Sequence, residues 1–350
     1  MSNLLKTLVV LTLTLSNLWA YGRPEMQRFS LLHDRLTVER SLIRDAYSQF
    51  LNIDIQASSG IIDIIGDAKN GTKATTQTEK DLNMYQLLTK NVNTEKFIDA
   101  NIIAGIPLPD VHYHQHHFLN SAFYQINLGF SLSINNQVLA TNPVAQTYVR
   151  KETKMGLYSI YSHGSSTEQQ ITLYQMIRSD LSSEISYTAL SADGKFFDFN
   201  SLTQEQKHIA VDWKWIKRDK NHRTELSVSE LALLKQSDVK TKFGTGPLFH
   251  AAHFVTYDQN KYSLIPFAGF HYREHYRITN GLYLGVTYKG NDRLPVKATF
   301  KMDNQFMALM PTLDMKYFRF SYSFKNPYRN PQDDFWVAAM HQIDIGIPFP

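Results

Sequence analysis

Four histidines lie close together in the first half of the chain: His112, His114, His116 and His117. Imidazole nitrogens at such spacing can bind Zn²⁺ or Ni²⁺. Alternation would place His112, His114 and His116 on one side of an extended segment. The chain has no cysteine, which excludes thiolate ligands. Because the cluster follows Pro107-Leu-Pro109, a solvated loop between two strands is the simpler interpretation. We predict neither a metal site nor a cofactor.

A second arrangement with chemical potential is the His163-x-Ser165 pair in the segment Tyr161-Ser-His-Gly-Ser-Ser166. A histidine that takes the proton of a serine hydroxyl makes that hydroxyl a nucleophile. The pair locally resembles the outer-membrane phospholipases and lipid A deacylases, which use these two residues as base and nucleophile. Those families continue with Asn after the serine, whereas Ser166 stands here. A strand end followed by a Gly/Ser turn explains the same residues, so we expect no catalytic residue and no enzymatic activity.

Charged residues also occupy the polar positions of several alternating segments. Those that we predict to line a lumen are Asp99, Asp212, Lys214, Arg273, Lys297, Lys301, Arg319 and Asp344. If they share one lumen, its field is mildly positive and favours anionic solutes. The alternative is that these charges pair with one another and fill a narrow barrel.

The elements that would position these residues are strands, because apolar and polar residues alternate from residue 96 onward. The clearest run is Tyr124–Ile134, and similar runs cover 98–108, 209–215, 282–288, 296–302 and 318–324. Short polar turns such as Gly290-Asn-Asp292 separate the runs and are typical of antiparallel hairpins. We predict an all-β fold, an antiparallel transmembrane barrel of about 14 strands within a range of roughly 12 to 16.

Composition favours a membrane barrel over a secreted soluble β-protein. Aromatic residues make up 13% of the chain and charged residues only 19%, and residues 111–149 contain no Lys, Arg, Asp or Glu. Several alternating runs have about the 9–11 residues of a tilted membrane strand. A basic residue that faces lipid at mid-depth costs about 2–4 kcal/mol, so charge-free outer faces are expected.

Both ends of the chain indicate export to the outer membrane. Residues 1–20 contain Lys6, an apolar run and a small residue at Ala20, which is the pattern of a signal peptide. The last segment resembles the C-terminal strand of Gram-negative outer-membrane proteins, through an assembly signal of Asp344, Gly346 and Phe349. Pro350 departs from that pattern. The resemblance implies outer-membrane lipid and the barrel-assembly machinery as partners.

Residues 21–95 differ from the rest, and we interpret them as a helical N-terminal segment, periplasmic or plug-like, that precedes a barrel of residues 96–350. Apolar residues have helical spacing from Met26 to Leu51, and Thr76 with Glu79 forms a capping-box signature. Ile61–Ile65 could be a strand or a buried turn. The alternative is a helical elaboration between the first strand and the rest of the barrel.

The function that these features favour is passive. The net charge of +4 is spread along the chain without a basic stripe, which argues against nucleic acid as a partner. We expect a porin-like channel or transporter for small or hydrophobic solutes. The competing hypothesis is a non-transporting surface or assembly protein that acts through loops such as Ser191–Gln206 and Leu234–Pro247. An outer-membrane lipid hydrolase is the third.

Overall fold

The fold is a closed antiparallel barrel of 14 strands, as the alternation predicts. The computed structural model describes residues 24–349, except 44–46, 114–115, 137–142, 164–165, 198–201, 203, 237–245, 260, 275, 291–294 and 330–335. The wall consists of β1 (Gln49–Ser58), β2 (Thr94–Tyr113), β3 (His116–Asn136), β4 (Pro143–His163), β5 (Thr167–Ser186), β6 (Gln206–Asp219), β7 (His222–Lys235), β8 (Leu248–Val255), β9 (Tyr262–Tyr272), β10 (Leu282–Gly290), β11 (Val296–Asp303), β12 (Phe306–Met315), β13 (Phe318–Pro327) and β14 (Met340–Pro348). Two-residue strands, Tyr257–Asp258 and Trp336–Val337, pair with β9 and β2.

The first strand closes the barrel, because β1 pairs with both β2 and β14. Ile53 lies opposite Ile102 on one side and opposite Ile345 on the other. The barrel therefore begins at Gln49, well before the boundary at residue 96 that the sequence analysis expects. The helical spacing of apolar residues extends to Leu51 and so overlaps the start of β1, which is why the sequence does not separate the helix from the strand.

The wall is polar inside and apolar outside. In β14, Gln342 and Asp344 are buried in the lumen, while Ile343 and Ile345, which alternate with them, are exposed. Exposed apolar side chains on outward faces include Ile55, Ile102, Tyr124, Ile126, Leu157, Leu173, Leu226, Phe249, Leu284, Phe300, Leu309 and Phe320. An apolar exterior around a polar interior is the arrangement of an outer-membrane β-barrel.

The two ends of the barrel differ in their connections. At the short-turn end, where β1 begins and β14 ends, two-residue connections join β6 to β7 and β12 to β13. At the long-loop end the connections include residues 59–93 between β1 and β2 and residues 187–205 between β5 and β6.

Four α-helices accompany the strands in the described part of the chain. They are α1 (Pro24–Ile43), α2 (Ile61–Gly71), α3 (Gln77–Lys90) and α4 (Tyr187–Asp193). None of these described helices is long and apolar enough to cross a membrane. The expectation of a strand or turn at Ile61–Ile65 is wrong: Gly60, at φ +72°, precedes a helix there. The capping box of Thr76 and Glu79 is confirmed at the start of α3.

Helices α2, α3 and α4 form a collar at the long-loop end, outside the barrel wall. Their apolar side chains pack on Leu132 and Ile134 of β3 and on Ala145 of β4. These residues alternate with Ser131 and Ser133, which bond the lumen residue Glu95, so they face outward. The alternative interpretation of the sequence, a helical elaboration after the first strand, describes α2 and α3. Helix α1 lies elsewhere, inside the barrel.

Candidate functional site

Helix α1 fills part of the lumen and is buried on all its sides. Phe29 and Leu36 are fully buried, and so are Asp34 and Glu39 on other faces of the same helix. A helix on a protein surface buries only one stripe, so burial all round means that the barrel encloses α1. Near its end the carbonyl of Leu42 accepts a hydrogen bond from Lys297, close to the start of β11 at the short-turn end.

One aromatic cluster anchors the first half of α1 to the wall. The ring centroid of Phe29 lies 5.4 Å from that of Phe97 and 4.7 Å from that of Tyr148. The guanidinium of Arg150 lies over the same ring at 5.1 Å. Gly129 of β3 permits this approach, because a Cβ at that position would overlap the Phe29 ring.

Ion pairs join α1 to β1 and β2. Arg28 donates to Glu95 at 2.8 Å, near the long-loop end. Further along the helix, Arg40 donates to Asp99 at 2.7 Å and also to Asp54. The Nδ1 atom of His33 lies 3.1 Å from the carboxylate of Asp99.

A second set of ion pairs joins α1 to a different part of the wall. Asp34 accepts two hydrogen bonds from Arg273, both at 2.9 Å. Glu39 accepts from Lys301 at 3.0 Å and also contacts Lys325. The Nε atom of Arg35 lies 3.7 Å from a carboxylate oxygen of Asp303. These contacts join the helix to β11, to β13 and to the residue that directly follows β9.

The ion pairs continue beyond α1 across the lumen. Glu230 of β7 accepts from Arg178 at 3.1 Å, from Lys154 at 3.2 Å and from Arg273 at 3.0 Å. Arg178 also donates to Glu152 at 2.9 Å. Burial disfavours the charge of Arg273, but the carboxylates of Asp34 and Glu230 hold its pKa well above the usual value. Through Arg273 a continuous layer of paired charges therefore runs from α1 to the wall at β4 and β5.

Glu230 occupies a strained backbone position within this layer. Its φ is +60°, a left-handed conformation that is uncommon for residues other than glycine. The register between β6 and β7 shifts here, and the N–H of Glu230 donates to Asp212 at 2.6 Å. The bulge turns the carboxylate inward to meet three cations, and such local strain is frequent at functional positions.

A polar cavity of about 490 Å³ lies between α1 and the wall formed mainly by β4 to β8. The charge layer borders it, and it extends toward the short-turn end, where Lys214 pairs with Glu225 at 2.8 Å and Arg218 with Glu168 at 2.9 Å. Acidic and basic side chains alternate around it, so the cavity has mixed charge. Small polar solutes match such a lining better than apolar ones do.

The predicted lumen residues fall into four groups. Asp99, Arg273 and Lys301 contact α1, and Asp212, Lys214 and Lys297 line the cavity, as Arg273 does too. Asp344 is buried in the wall beside Asn52. Arg319 lies at the short-turn end, where it pairs with Asp314 at 3.0 Å and borders a second cavity of about 410 Å³.

Sequence reasoning missed the partners of these residues. Asp34, Glu39 and Arg40 belong to a helix whose charged residues lie on several sides, which gives no hint of the lumen. Glu152 and Lys154 did carry a signal, because with Arg150 they recur every second residue on the inner face of β4. Glu230 carried none, since its inward position depends on the bulge.

The C-terminal assembly signal has distinct contacts in the folded barrel. Gly346 lies opposite Asn52 in the pairing of β1 and β14. The ring of Phe349 packs edge-on against Phe50, with centroids 4.8 Å apart. The signal thus lies at the seam that closes the barrel, and its recognition by the assembly machinery stays a prediction.

The two candidate chemical sites of the sequence lie largely outside the described residues. His114 and Ser165 fall outside them, whereas His112 and His117 are paired in the backbone register of β2 and β3. Within the described residues, no group of three or more His, Asp or Glu side chains could hold a metal ion. The signal peptide at residues 1–20 also lies outside the described part of the chain.

No family model matches the sequence, and no curated protein matches it. Among solved structures, CdiB from Acinetobacter baumannii is 11% identical with a TM-score of 0.36, and CdiB from Escherichia coli is 8% identical with a TM-score of 0.38. Each match covers 86% of this chain, which spans 60% and 63% of those two chains, less than two thirds. The transport unit of the autotransporter AIDA-I from Escherichia coli is 9% identical, with a TM-score of 0.34. This match covers 94% of this chain and 99% of that one. Similarities of this size do not assign the chain to a family.

Proposed function

We propose that the protein is a gated channel for small polar solutes, closed by α1 in the described state, and without catalytic activity. The observation that carries the proposal is the way in which α1 is held. Its charged side chains from Arg28 to Arg40 bond to groups on the wall. Water can replace such contacts, and a buried ion pair is worth little net free energy relative to its hydrated partners.

The cavity beside α1 supports the same proposal. The cavity already lies open along one side of the helix. The sequence analysis expects small or hydrophobic solutes, and the mixed charge of the cavity favours the small polar ones among them. In bacterial membrane barrels the short turns face the periplasm and the longer loops face outward. The cavity would then open toward the periplasm, and the layer around Glu230 would separate it from the outside.

Removal of α1 tests the proposal most directly. The chain that lacks residues 24–43 should insert into planar bilayers and give large, steady conductance in KCl, whereas the intact chain should be closed or open only briefly. Mobility that changes on boiling shows that the shortened chain has folded. If a folded chain without α1 conducts no better than the intact one, the lumen is not a gated channel.

A reversible lock provides a matched control, because the chain has no cysteine of its own. Val38 of α1 and Ala252 of β8 belong to one apolar cluster. In the variant with Val38→Cys and Ala252→Cys, a short bifunctional thiosulfonate, which forms a disulfide with each thiol and releases sulfinate, should abolish openings. Reduction of the two disulfides should restore them. Val38→Cys alone should not respond. Openings that persist in the bridged protein would exclude α1 as the gate.

A further inference from the structure

Helix α2 of the collar has two apolar faces, and the barrel covers only one of them. Ile61, Ile64 and Ala68 are buried against α3 and the outward side of the wall. Ile62 and Ile65 remain 76% and 41% exposed, although they lie in the same helix. Positions three residues apart share a helix face, so these two isoleucines form a stripe of their own beside the covered one.

This stripe lies next to the lipid-facing surface of the barrel. Helix α2 starts directly after β1, whose Ala57 is opposite Ile98 of β2. Ala57 is also a partly buried member of the apolar cluster between the collar and the wall. Helix α2 therefore begins where the outward face of β1 ends. Ile55 on the outward face of β1 is 50% exposed just below it.

The polar residues of α2 fit a helix at a membrane surface. Lys69 lies on the same face as Ile62 and Ile65, one turn beyond Ile65, where its long side chain can reach lipid phosphates. The exposed residues Asp67 and Asn70 lie on a different side. An exposed apolar stripe that ends in a basic residue, with polar residues on another side, is typical of an interfacial helix.

We infer that α2 is an interfacial helix of the outer leaflet, with Ile62 and Ile65 inserted between lipid headgroups and acyl chains. The occupant of the exposed stripe is lipid, because the stripe continues the apolar outer surface that the barrel already presents to the membrane. The collar then rests on the bilayer at the side of β1 and β2. This inference concerns the outside of the wall and does not depend on whether the lumen conducts.

Spin labels on the full-length chain in lipid vesicles test the inference. Single variants Ile62→Cys, Ile65→Cys and, as the matched control on another side of the helix, Asp67→Cys can each carry one nitroxide, since the chain has no other cysteine. We expect the labels at 62 and 65 to collide at least threefold more with dissolved oxygen than with a water-soluble nickel chelate, relative to the label at 67. Vesicles that contain only this protein exclude a protein partner of another kind.

Two outcomes would overturn the inference. If the labels at 62 and 65 meet the nickel chelate as readily as the label at 67, the stripe faces water. If both are shielded from oxygen and chelate alike, another copy of the chain covers the stripe. Dilution of protein in the vesicles would then expose the labels. Mobility that changes on boiling confirms in each case that the labelled barrel is folded, so a failed fold is not mistaken for either result.

Discussion

Glu39 is a buried carboxylate between two buried lysines, Lys301 and Lys325, and it joins α1 to two strands at once. Neither lysine could be identified as its partner from the sequence, since more than 260 residues separate them from it. At this scale the sequence reveals which residues are charged and which face of a strand they occupy. It does not reveal pairing, which depends on the position of α1 in three dimensions.

The substitution Glu39→Gln should loosen α1. It leaves two buried ammonium groups short of a carboxylate, and loss of one partner from a buried ion pair costs about 3–5 kcal/mol. Hydrogen exchange should show reduced protection of the α1 amides, with the barrel strands unchanged. The double variant Glu39→Gln with Lys325→Met should recover part of that protection. Glu205→Gln, in an exposed pair with Lys207, should have no measurable effect.

Glu230 should control ion selectivity in the open lumen. In the chain without residues 24–43, Glu230→Gln leaves Arg178, Lys154 and Arg273 with less negative charge among them. The reversal potential in a KCl gradient should therefore shift toward anions. Glu230→Asp keeps the charge and should retain the original selectivity. An unchanged reversal potential in Glu230→Gln would mean that ions do not pass this layer.

At the scale of elements, the strands were predictable and the positions of the helices were not. An outward apolar face and an inward polar face impose a period of two on every wall strand, as in Leu282–Tyr288. Strand β1 has the same period, but it begins at Gln49, shortly after a segment with helical spacing. The start of the barrel could therefore not be recognised from the sequence. Helix α1 was predictable as a helix, whereas its charges on all sides identify no face that packs.

The collar should be a separately unfolding element. Thr76 caps α3 by accepting a hydrogen bond from the Glu79 N–H, and loss of such a cap costs about 1 kcal/mol. In Thr76→Ala we expect faster hydrogen exchange in α3 with unchanged exchange in β2 to β5. Thr89→Ala, which removes only a bond within the same helix, is the matched control. If the strands lose protection together with α3, collar and barrel form one cooperative unit.

At the scale of the whole molecule, the distribution of charge is inverted relative to a soluble protein. Ion pairs such as Asp34–Arg273 lie inside, while Ile343 and Leu284 lie outside. The alternative in which lumen charges pair with one another describes the structure better than an open, mildly positive pore does. The composition is consistent with this arrangement, because a chain with few charged and many aromatic residues has too few polar side chains to make the outside of the barrel polar.

The position of a new charge should decide whether this exterior meets lipid. Ile343 lies near the middle of β14 and is 47% exposed, whereas Tyr317 lies in the turn after β12 at the short-turn end and is 65% exposed. In a bilayer, Ile343→Lys should lower the free energy of unfolding by about 2–4 kcal/mol and Tyr317→Lys by about 0–1 kcal/mol. Urea unfolding of both variants in lipid vesicles measures the difference, with the mobility shift on boiling as the sign of a folded barrel. In a secreted soluble β-protein both lysines would point into water, and the two variants would unfold alike. A clear gap between them would therefore place the barrel in a membrane through a property that only a lipid-facing surface has.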